Sequence, residues 1–146
     1  MDARRRVLAG ISQAGYWVPR ALAFEHRIAA AVADPGVIDV AESWWHNLGP
    51  ELRGLWDSGD RETFDLLTEV SRYAVEPVAH RITTPLLITD PDGEHFWPGA
   101  SRRLYDALPG PKELLRFSEA EGAHLHCEPM GRALFEQRVF DPRHST

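Results

Sequence analysis

A serine flanked by small residues stands between an apolar stretch and a segment with helical spacing, in the sequence Gly10-Ile11-Ser12-Gln13-Ala14-Gly15. A sharp strand-to-helix turn at a serine requires small side chains two positions to either side, because bulk there clashes as the backbone reverses. Gly10 and Ala14 meet that requirement. Such a turn exposes the hydroxyl of Ser12 and faces the backbone N–H of Gln13 toward a developing oxyanion. The pattern predicts a nucleophilic serine, although a serine that only caps the helix is the simpler alternative.

A serine hydroxyl becomes nucleophilic only beside a base, and the base needs an orienting carboxylate. On a strand-turn-helix scaffold the three groups follow one another along the chain as serine, acid and histidine. The apolar stretch 86–89 is followed by three carboxylates, Asp90, Asp92 and Glu94. Glu94 is the predicted acid and Asp92 the alternative acid, with Asp90 a further competitor. A solvated acidic turn would account for the carboxylates that are not used.

Two histidines, His124 and His126, follow the next predicted strand, and either of them could be the base. Residues two apart lie on one side of the chain only where the backbone is extended, so we expect one of the two to serve. A metal site at this pair is disfavoured because no third ligand has a recognisable spacing. The adjacent Cys127 lacks a turn like that of Ser12 and is interpreted as a small buried hydrophobe. The sequence thus predicts neither a metal nor a cofactor.

Apolar stretches that alternate with helical segments must position these groups. The stretches typical of strands are 7–11, 27–33, 85–89 and 112–117, and helical spacing follows at 17–26, 98–108 and 129–140. Pro19 is tolerated in the first turn of a helix, which places the first helix close after Ser12. Residues 38–77 form an insert rich in Trp, Leu and acidic residues, with about three short helices. This order predicts an α/β fold with a parallel sheet and right-handed crossovers.

The composition excludes several classes of function. The 146 residues include 16 Lys+Arg against 22 Asp+Glu, for a net charge of −6, and the only basic run is 4–6. Neither a nucleic-acid partner nor binding to a membrane surface is therefore expected. No stretch reaches the roughly 20 apolar residues that span a bilayer, and no signal peptide is recognised. The single cysteine excludes an internal disulfide, so we expect one soluble domain in the cytoplasm.

Aromatic residues are concentrated near the serine and in the insert. Five tryptophans in 146 residues is a high content, and four of them lie in the first half of the chain. They either pack in a core or form an apolar pocket for a bulky substrate. The predicted pocket would take an apolar or aromatic small molecule, and its predicted lining is Tyr16, Trp17, Trp44 and Trp45.

Three motifs in this order resemble those of the α/β-hydrolase superfamily. They are the serine turn with its helix in 10–30, the acid loop Phe96-Trp97-Pro98-Gly99, and the histidine loop 121–128. The resemblance covers about residues 4–140. It is nearest to the group around bacterial 2,6-dihydroxypseudooxynicotine hydrolase and the fungal pigment chain-shortening hydrolases. Dipeptidyl-aminopeptidase and acylaminoacyl-peptidase-like sequences are similar more loosely.

The resemblance implies a catalytic triad of Ser12, Glu94 and His126, with His124 as the alternative base. The family acid is often aspartate, so glutamate at this place preserves the charge on a longer side chain. The resemblance further implies that the insert 38–77 is a cap over the substrate. The implied reaction is hydrolysis of an ester, an amide or an activated C–C bond through an acyl-enzyme.

The position of the serine strand departs from the family pattern, because that strand is about the fifth of eight in the family and the first here. We therefore expect residues 1–146 to form a single partial domain, the C-terminal half of an α/β-hydrolase fold with about four parallel strands. Strand 7–11 would have a bare edge, and the second oxyanion donor, which an early loop supplies, would be missing.

Three alternatives to an active enzyme follow from that departure. The chain could be a non-catalytic truncated remnant, or a subunit that needs a dimer partner or a complementing N-terminal half. The third is an acidic interaction module, which predicts that Ser12, Glu94 and His126 do not converge.

Overall fold

The computed structural model describes residues 6–140, and their centre is a four-stranded parallel sheet. The strands lie in chain order, so each connection crosses over to the neighbouring strand. Ile11 pairs with Asp34 and Pro91 with Phe117, which aligns the carboxyl ends of the strands at one edge. The predicted α/β fold with four parallel strands is confirmed. The strands are β1 (Arg6–Ile11), β2 (Ile28–Asp34), β3 (Leu86–Pro91) and β4 (Lys112–Phe117).

Within these residues, helices connect the strands and follow the last one. The α-helices are α1 (Ala14–Leu22), α2 (Val40–Asn47), α3 (Pro50–Asp57), α4 (Arg61–Val70), α5 (Ala100–Ala107) and α6 (Arg132–Phe140), with short 3₁₀ helices at Glu76–Arg81 and Glu119–Glu121. The insert 38–77 contains three short helices, as predicted. Asp60 caps the third of them by accepting the N–H of Thr63 at 2.9 Å. None of the helices in the described range is long and apolar enough to cross a membrane.

Helix α1 begins close after Ser12, as the sequence predicts, but it ends at Leu22, earlier than the predicted helical segment, which extends to residue 26. It begins directly after the serine turn because Gln13 already has helical dihedral angles, with φ −57° and ψ −24°. Pro19 lies in the interior of the helix, so the prediction that places it in the first turn is wrong. A residue with an N–H at that position would donate to the carbonyl of Gly15. Proline cannot, and that carbonyl accepts the N–H of Val37 at 3.4 Å instead.

The hydrophobic core lies on both faces of the sheet but is much larger on one. Leu22 and Leu104, from α1 and α5, pack in the main cluster with Ile88 of β3. A smaller cluster on the opposite face joins Phe117 of β4 to Phe135 of α6. Side chains alternate between the faces of a strand, and β2 accordingly contributes alternate residues to the two clusters.

Strand β1 forms one edge of the sheet within the described residues. Its outward side chains are poorly covered, with Val7 61% exposed and Ile11 49% exposed. The expected bare edge is therefore present in this part of the chain. An apolar edge strand of this kind favours pairing with another chain.

Two glycines allow α1 to pack closely on the serine turn and on the loop after β2. A Cβ atom on Gly10 would lie 2.3 Å from the carbonyl oxygen of Ala14. A Cβ atom on Gly15 would lie 1.9 Å from the carbonyl oxygen of Pro35. Both contacts are with backbone atoms, which cannot yield without displacing the turn. The small residue that the sequence pattern requires at position 10 thus has a direct steric cause.

We expect Gly15→Ala to destabilise the fold by about 1–3 kcal/mol, because the added carbon forces the backbone apart. Gly54→Ala is the matched control, since that glycine is exposed inside α3 and a Cβ there meets nothing within 4 Å. The control should gain about 0.5–1 kcal/mol from helix propensity. Urea unfolding measures both changes, and equal effects would show that α1 does not pack on the loop after β2.

Candidate active site

Ser12 lies on the sharp bend between β1 and α1 with a φ of +60°. This left-handed conformation costs a non-glycine residue about 1–2 kcal/mol, so neighbouring groups must hold it. The N–H of Ser12 donates to the carbonyl of Asp34 at 2.6 Å, and the N–H of Gly15 donates to the carbonyl of Ser12 at 2.8 Å. The N-cap of α1 is Gln13, without a side-chain cap bond. The predicted turn is present, and Ser12 does not serve as a helix cap.

The side chains of Ser12, His126 and Glu94 form a continuous hydrogen-bonded row. Ser12 Oγ lies 3.0 Å from His126 Nε2, and His126 Nδ1 lies 2.6 Å from Glu94 Oε2. The carboxylate accepts a hydrogen bond from Nδ1–H, which fixes the imidazole tautomer and leaves Nε2 to accept the serine proton. The interaction-module alternative, which requires that these residues not converge, is wrong.

Glu94 is held by its own loop as well as by the imidazole. Its Oε1 accepts the backbone N–H of Phe96 at 2.7 Å and that of Trp97 at 3.1 Å. Burial by itself raises the pKa of Glu94, but the hydrogen bonds from His126 and from the two backbone N–H groups outweigh it. The net pKa lies below the ordinary value for glutamate. The group that orients the imidazole is therefore a carboxylate at neutral pH.

The competing acids occupy other positions. Asp92 Oδ1 accepts a hydrogen bond from Arg116 Nε at 2.9 Å and forms an ion pair with Arg116 Nη2 at 2.8 Å. Asp90 lies within β3, where burial raises the pKa of its carboxyl. Neither acid is hydrogen-bonded to His126 in the described structure, so the geometry favours Glu94 over both.

The two candidate bases differ in their surroundings. His124 contributes its carbonyl oxygen to the N–H of Gly93 at 2.8 Å, and its ring Nδ1 is buried without a hydrogen-bond partner in the described part of the chain. The ring of His126 lies against two aromatic rings, with centroids 4.7 Å from Phe96 and 5.9 Å from Trp97. Its side chain is 13% exposed. The aromatic wall restricts His126 to the orientation that faces Ser12.

The backbone N–H of Gln13 is available at the serine turn. It precedes the first turn of α1 and has no hydrogen-bond acceptor among residues 6–140. The positive end of the helix dipole adds to its attraction for a negatively charged oxygen. Its role as an oxyanion donor stays a prediction, because that role depends on where a substrate carbonyl binds.

The predicted pocket residues do not form one group. Tyr16 is 1% exposed and packs in the main core, so the prediction that it lines an open pocket is wrong. Trp17 packs edge to face on Tyr16 at 4.8 Å and remains 48% exposed. Trp44 and Trp45 are also exposed on α2, and Trp45 lines a cleft of about 380 Å³ with Trp56. Substrate contact by the three tryptophans at positions 17, 44 and 45 stays a prediction.

Sequence reasoning missed two buried acids behind the row, Asp34 and Glu128. Asp34 ends an apolar strand and Glu128 follows His126 by two residues, but nothing in the sequence pairs them. Cys127 and Glu128 have positive φ values of 60° and 46°. Cys127 is interpreted from the sequence as a small buried hydrophobe, and its side chain is half-buried. Burial raises the pKa of its thiol to about 12, so the thiol is neutral rather than a nucleophilic thiolate.

Comparison with known proteins gives structural likeness only. No protein-family model matches the sequence, and no curated protein is significantly similar to it. Acetyl xylan esterase 1 from a Thermoanaerobacterium species is 21% identical with a TM-score of 0.67, over 95% of this chain and 45% of the esterase. The α/β-hydrolase GrgF from a Penicillium species is 19% identical with a TM-score of 0.62, over 98% and 65% of the two chains. Acylaminoacyl peptidase from Pyrococcus horikoshii is 19% identical with a TM-score of 0.64, over 94% and 24%.

The described residues have part of the α/β-hydrolase fold, which confirms the predicted fold class. The chain spans between 24% and 65% of the length of these three proteins. The nearer group around 2,6-dihydroxypseudooxynicotine hydrolase stays a prediction. At these identities the likeness shows the fold, and activity has to be argued from the site.

Replacement of Ser12 by glycine should give a more stable chain than replacement by alanine, by about 1 kcal/mol. Both variants lose the hydroxyl and its bond to His126, but only glycine adopts a φ of +60° without steric cost. Urea unfolding of the two purified variants measures the difference. Equal stability would contradict the left-handed conformation at this position.

Proposed function

We propose that this chain provides the catalytic triad of a serine hydrolase. Ser12 is the nucleophile, His126 the general base and Glu94 the acid that orients it. The observation that supports this most strongly is the row of hydrogen bonds, 3.0 Å from hydroxyl to imidazole and 2.6 Å from imidazole to carboxylate. The fold adds support, since its structural neighbours include an esterase and a peptidase.

The proposed reaction proceeds through an acyl-enzyme. Ser12 Oγ attacks the carbonyl carbon of the substrate while its proton passes to His126 Nε2. The N–H of Gln13 stabilises the negative charge that develops on the carbonyl oxygen. Collapse breaks the bond to the leaving group, which takes the proton from His126. Water then gives a proton to His126 and attacks the acyl carbon, and Ser12 recovers its proton as the acid product leaves.

The leaving atom can be an ester oxygen, an amide nitrogen or a stabilised carbon. We propose an apolar or aromatic substrate, with the insert 38–77 as a cap above the site. Exposed aromatic side chains on that insert support this, because Trp45 and Phe64 lie 52% and 53% exposed on its helices. The half-exposed Trp17 brings a further apolar surface close to the serine turn.

A fluorophosphonate should label the wild-type chain at Ser12 and leave Ser12→Ala unlabelled, because an unactivated serine does not attack phosphorus at a useful rate. Ser118→Ala is the matched control. Ser118 Oγ also bonds to an acid, Glu121 Oε2 at 2.7 Å, but without a histidine between them. Intact mass and peptide mapping give the readout. A folded wild-type chain that stays unlabelled would contradict an activated serine.

Glu94→Gln should slow labelling by on the order of 10⁴-fold, because the amide presents an N–H to Nδ1 and favours the wrong imidazole tautomer. Asp92→Asn should leave the rate near that of the wild type, since Asp92 is bonded to Arg116. For the base, His126→Ala should slow labelling, whereas His124→Ala should leave the rate near that of the wild type. Pseudo-first-order labelling rates measure all four variants. A larger loss from Asp92→Asn or His124→Ala would reverse the assignment.

A second candidate function is that of a subunit that hydrolyses substrate only with a partner, either a second copy or a complementing N-terminal half. The exposed edge of β1, with Val7 and Ile11 uncovered, favours it. So does the presence of one proposed oxyanion donor, Gln13, in the described part of the chain, since each such donor contributes about 10²–10³ in kcat. This candidate predicts labelling of Ser12 without ester turnover. A non-catalytic remnant predicts neither labelling of Ser12 nor ester turnover.

A further inference from the structure

Two buried acids lie behind the catalytic row, outside the mechanism above. Glu128 is 0% exposed and Asp34 is 1% exposed. Asp34 Oδ1 accepts the hydroxyl of Thr89 at 2.7 Å. Asp34 Oδ2 and both carboxyl oxygens of Glu128 are buried without a hydrogen-bond partner in the described part of the chain. Two carboxylates cannot bond to each other, whereas a carboxylic acid and a carboxylate can, so a single proton would pair two of the three unpaired oxygens, Asp34 Oδ2 and one oxygen of Glu128.

The charges around these acids favour retention of a proton. Burial, and after it the neighbouring Asp34, raise the pKa of Glu128 to about 9. Glu94, from the loop after β3, adds further negative charge. Cys127 is neutral because burial raises the pKa of its thiol to about 12. Arg132, at the start of α6, opposes the shift, but its Nη1 lies 3.8 Å from Asp34 Oδ2 and makes no hydrogen bond.

We propose that Asp34 and Glu128 hold one proton between them, and that this carboxyl–carboxylate hydrogen bond positions the serine turn relative to the histidine loop. Asp34 contacts both segments, because its carbonyl oxygen accepts the N–H of Ser12 at 2.6 Å and the thiol of Cys127 at 3.6 Å. Glu128 follows His126 by two residues. The acid pair therefore links the serine turn to the loop that carries His126 through groups other than the catalytic side chains.

Asp34 and Glu128 are positioning residues, since neither side chain touches the reacting atoms. Their positioning role rests on the proposed function, whereas the shared proton does not. Infrared and thermal measurements test the shared proton, and labelling rates of Ser12 test the positioning role.

Infrared spectroscopy tests the shared proton without reference to activity. At neutral pH the difference spectrum between the wild type and Glu128→Gln should contain the C=O band of one protonated carboxyl. The band should disappear as the pH rises through about 9. Asp34→Asn should lower the pH at which it disappears, because it removes a neighbouring charge and supplies an amide N–H to the Glu128 carboxylate. Absence of the band, or a midpoint that Asp34→Asn leaves unmoved, would overturn the proposal.

Thermal unfolding gives a second measure with a definite sign. A carboxyl whose pKa rises from 4.5 to about 9 on folding binds more protons in the folded chain than in the unfolded chain between those values. Stability attributable to that group therefore falls as the pH rises across this range. The Tm of the wild type should decline relative to that of Glu128→Gln between about pH 5 and about pH 9 and change little above it. Parallel Tm profiles would contradict a proton held at Glu128.

The positioning role is measured by the rate of fluorophosphonate labelling of Ser12 as a function of pH. Glu128→Gln replaces the shared proton by a permanent N–H donor, so it should match the wild type at neutral pH and keep its rate above about pH 9, where the wild type slows. Glu128→Leu leaves Asp34 Oδ2 unpaired and should label on the order of 10- to 100-fold more slowly. The pH profile of Glu128→Gln keeps the test valid if Glu128→Leu does not fold.

Equal rates for Glu128→Gln and Glu128→Leu, or a wild-type rate that does not fall at alkaline pH, would contradict the positioning role. If no form of the chain is labelled, the proposed function fails and the positioning role fails with it. The infrared result then still decides whether the proton is shared.

Discussion

The left-handed bend at Ser12 is the constraint on which the rest of the site depends. Only two residues separate β1 from α1, so the backbone must reverse at once, and α1 must pack against the strand that precedes it. Glycine at positions 10 and 15 makes that packing sterically possible. The strain of about 1–2 kcal/mol at Ser12 is offset by burial of α1, whose Leu22 is fully covered by the core. The hydroxyl is consequently presented at the carboxyl edge of the sheet, where the other two members of the row can reach it.

Asp34 connects this bend to the remainder of the site. Its backbone oxygen accepts the N–H of Ser12, and its side chain accepts the hydroxyl of Thr89 on β3. The same backbone oxygen lies 3.6 Å from the thiol of Cys127, next to the proposed base. Buried polar groups are costly when they lose a partner. A shift of any one of these three segments would leave a buried donor or acceptor unpaired, which is why their relative positions are tightly defined.

The sequence predicts best what depends on local constraints. The serine turn, the alternation of strands and helices, and the parallel sheet follow from residue size and apolar periodicity over a few positions. The choice between His124 and His126 depends instead on the path of an irregular loop, which positive φ values at two non-glycine residues determine. Tyr16 was expected in the pocket because it lies beside the serine turn among other aromatic residues, but the packing of α1 on the sheet places its ring in the core. The proposed pairing of Glu128 with Asp34 could not be predicted from the sequence, because it requires β2 and the histidine loop to be adjacent.

In the proposed reaction, activation of the nucleophile and stabilisation of the transition state draw on different parts of this fold. The hydroxyl, the carboxylate and the imidazole come from the segments that follow β1, β3 and β4. Binding of the carbonyl oxygen would rely on the N–H of Gln13, the proposed donor, whereas an oxyanion usually receives two such donors. A fluorophosphonate carries its own leaving group, so its labelling rate reports mainly on activation of the nucleophile. Turnover of an ester requires both nucleophile activation and transition-state stabilisation. A reactive serine and slow hydrolysis are therefore compatible in one structure, and the ratio of the two rates measures how much a completing partner would add.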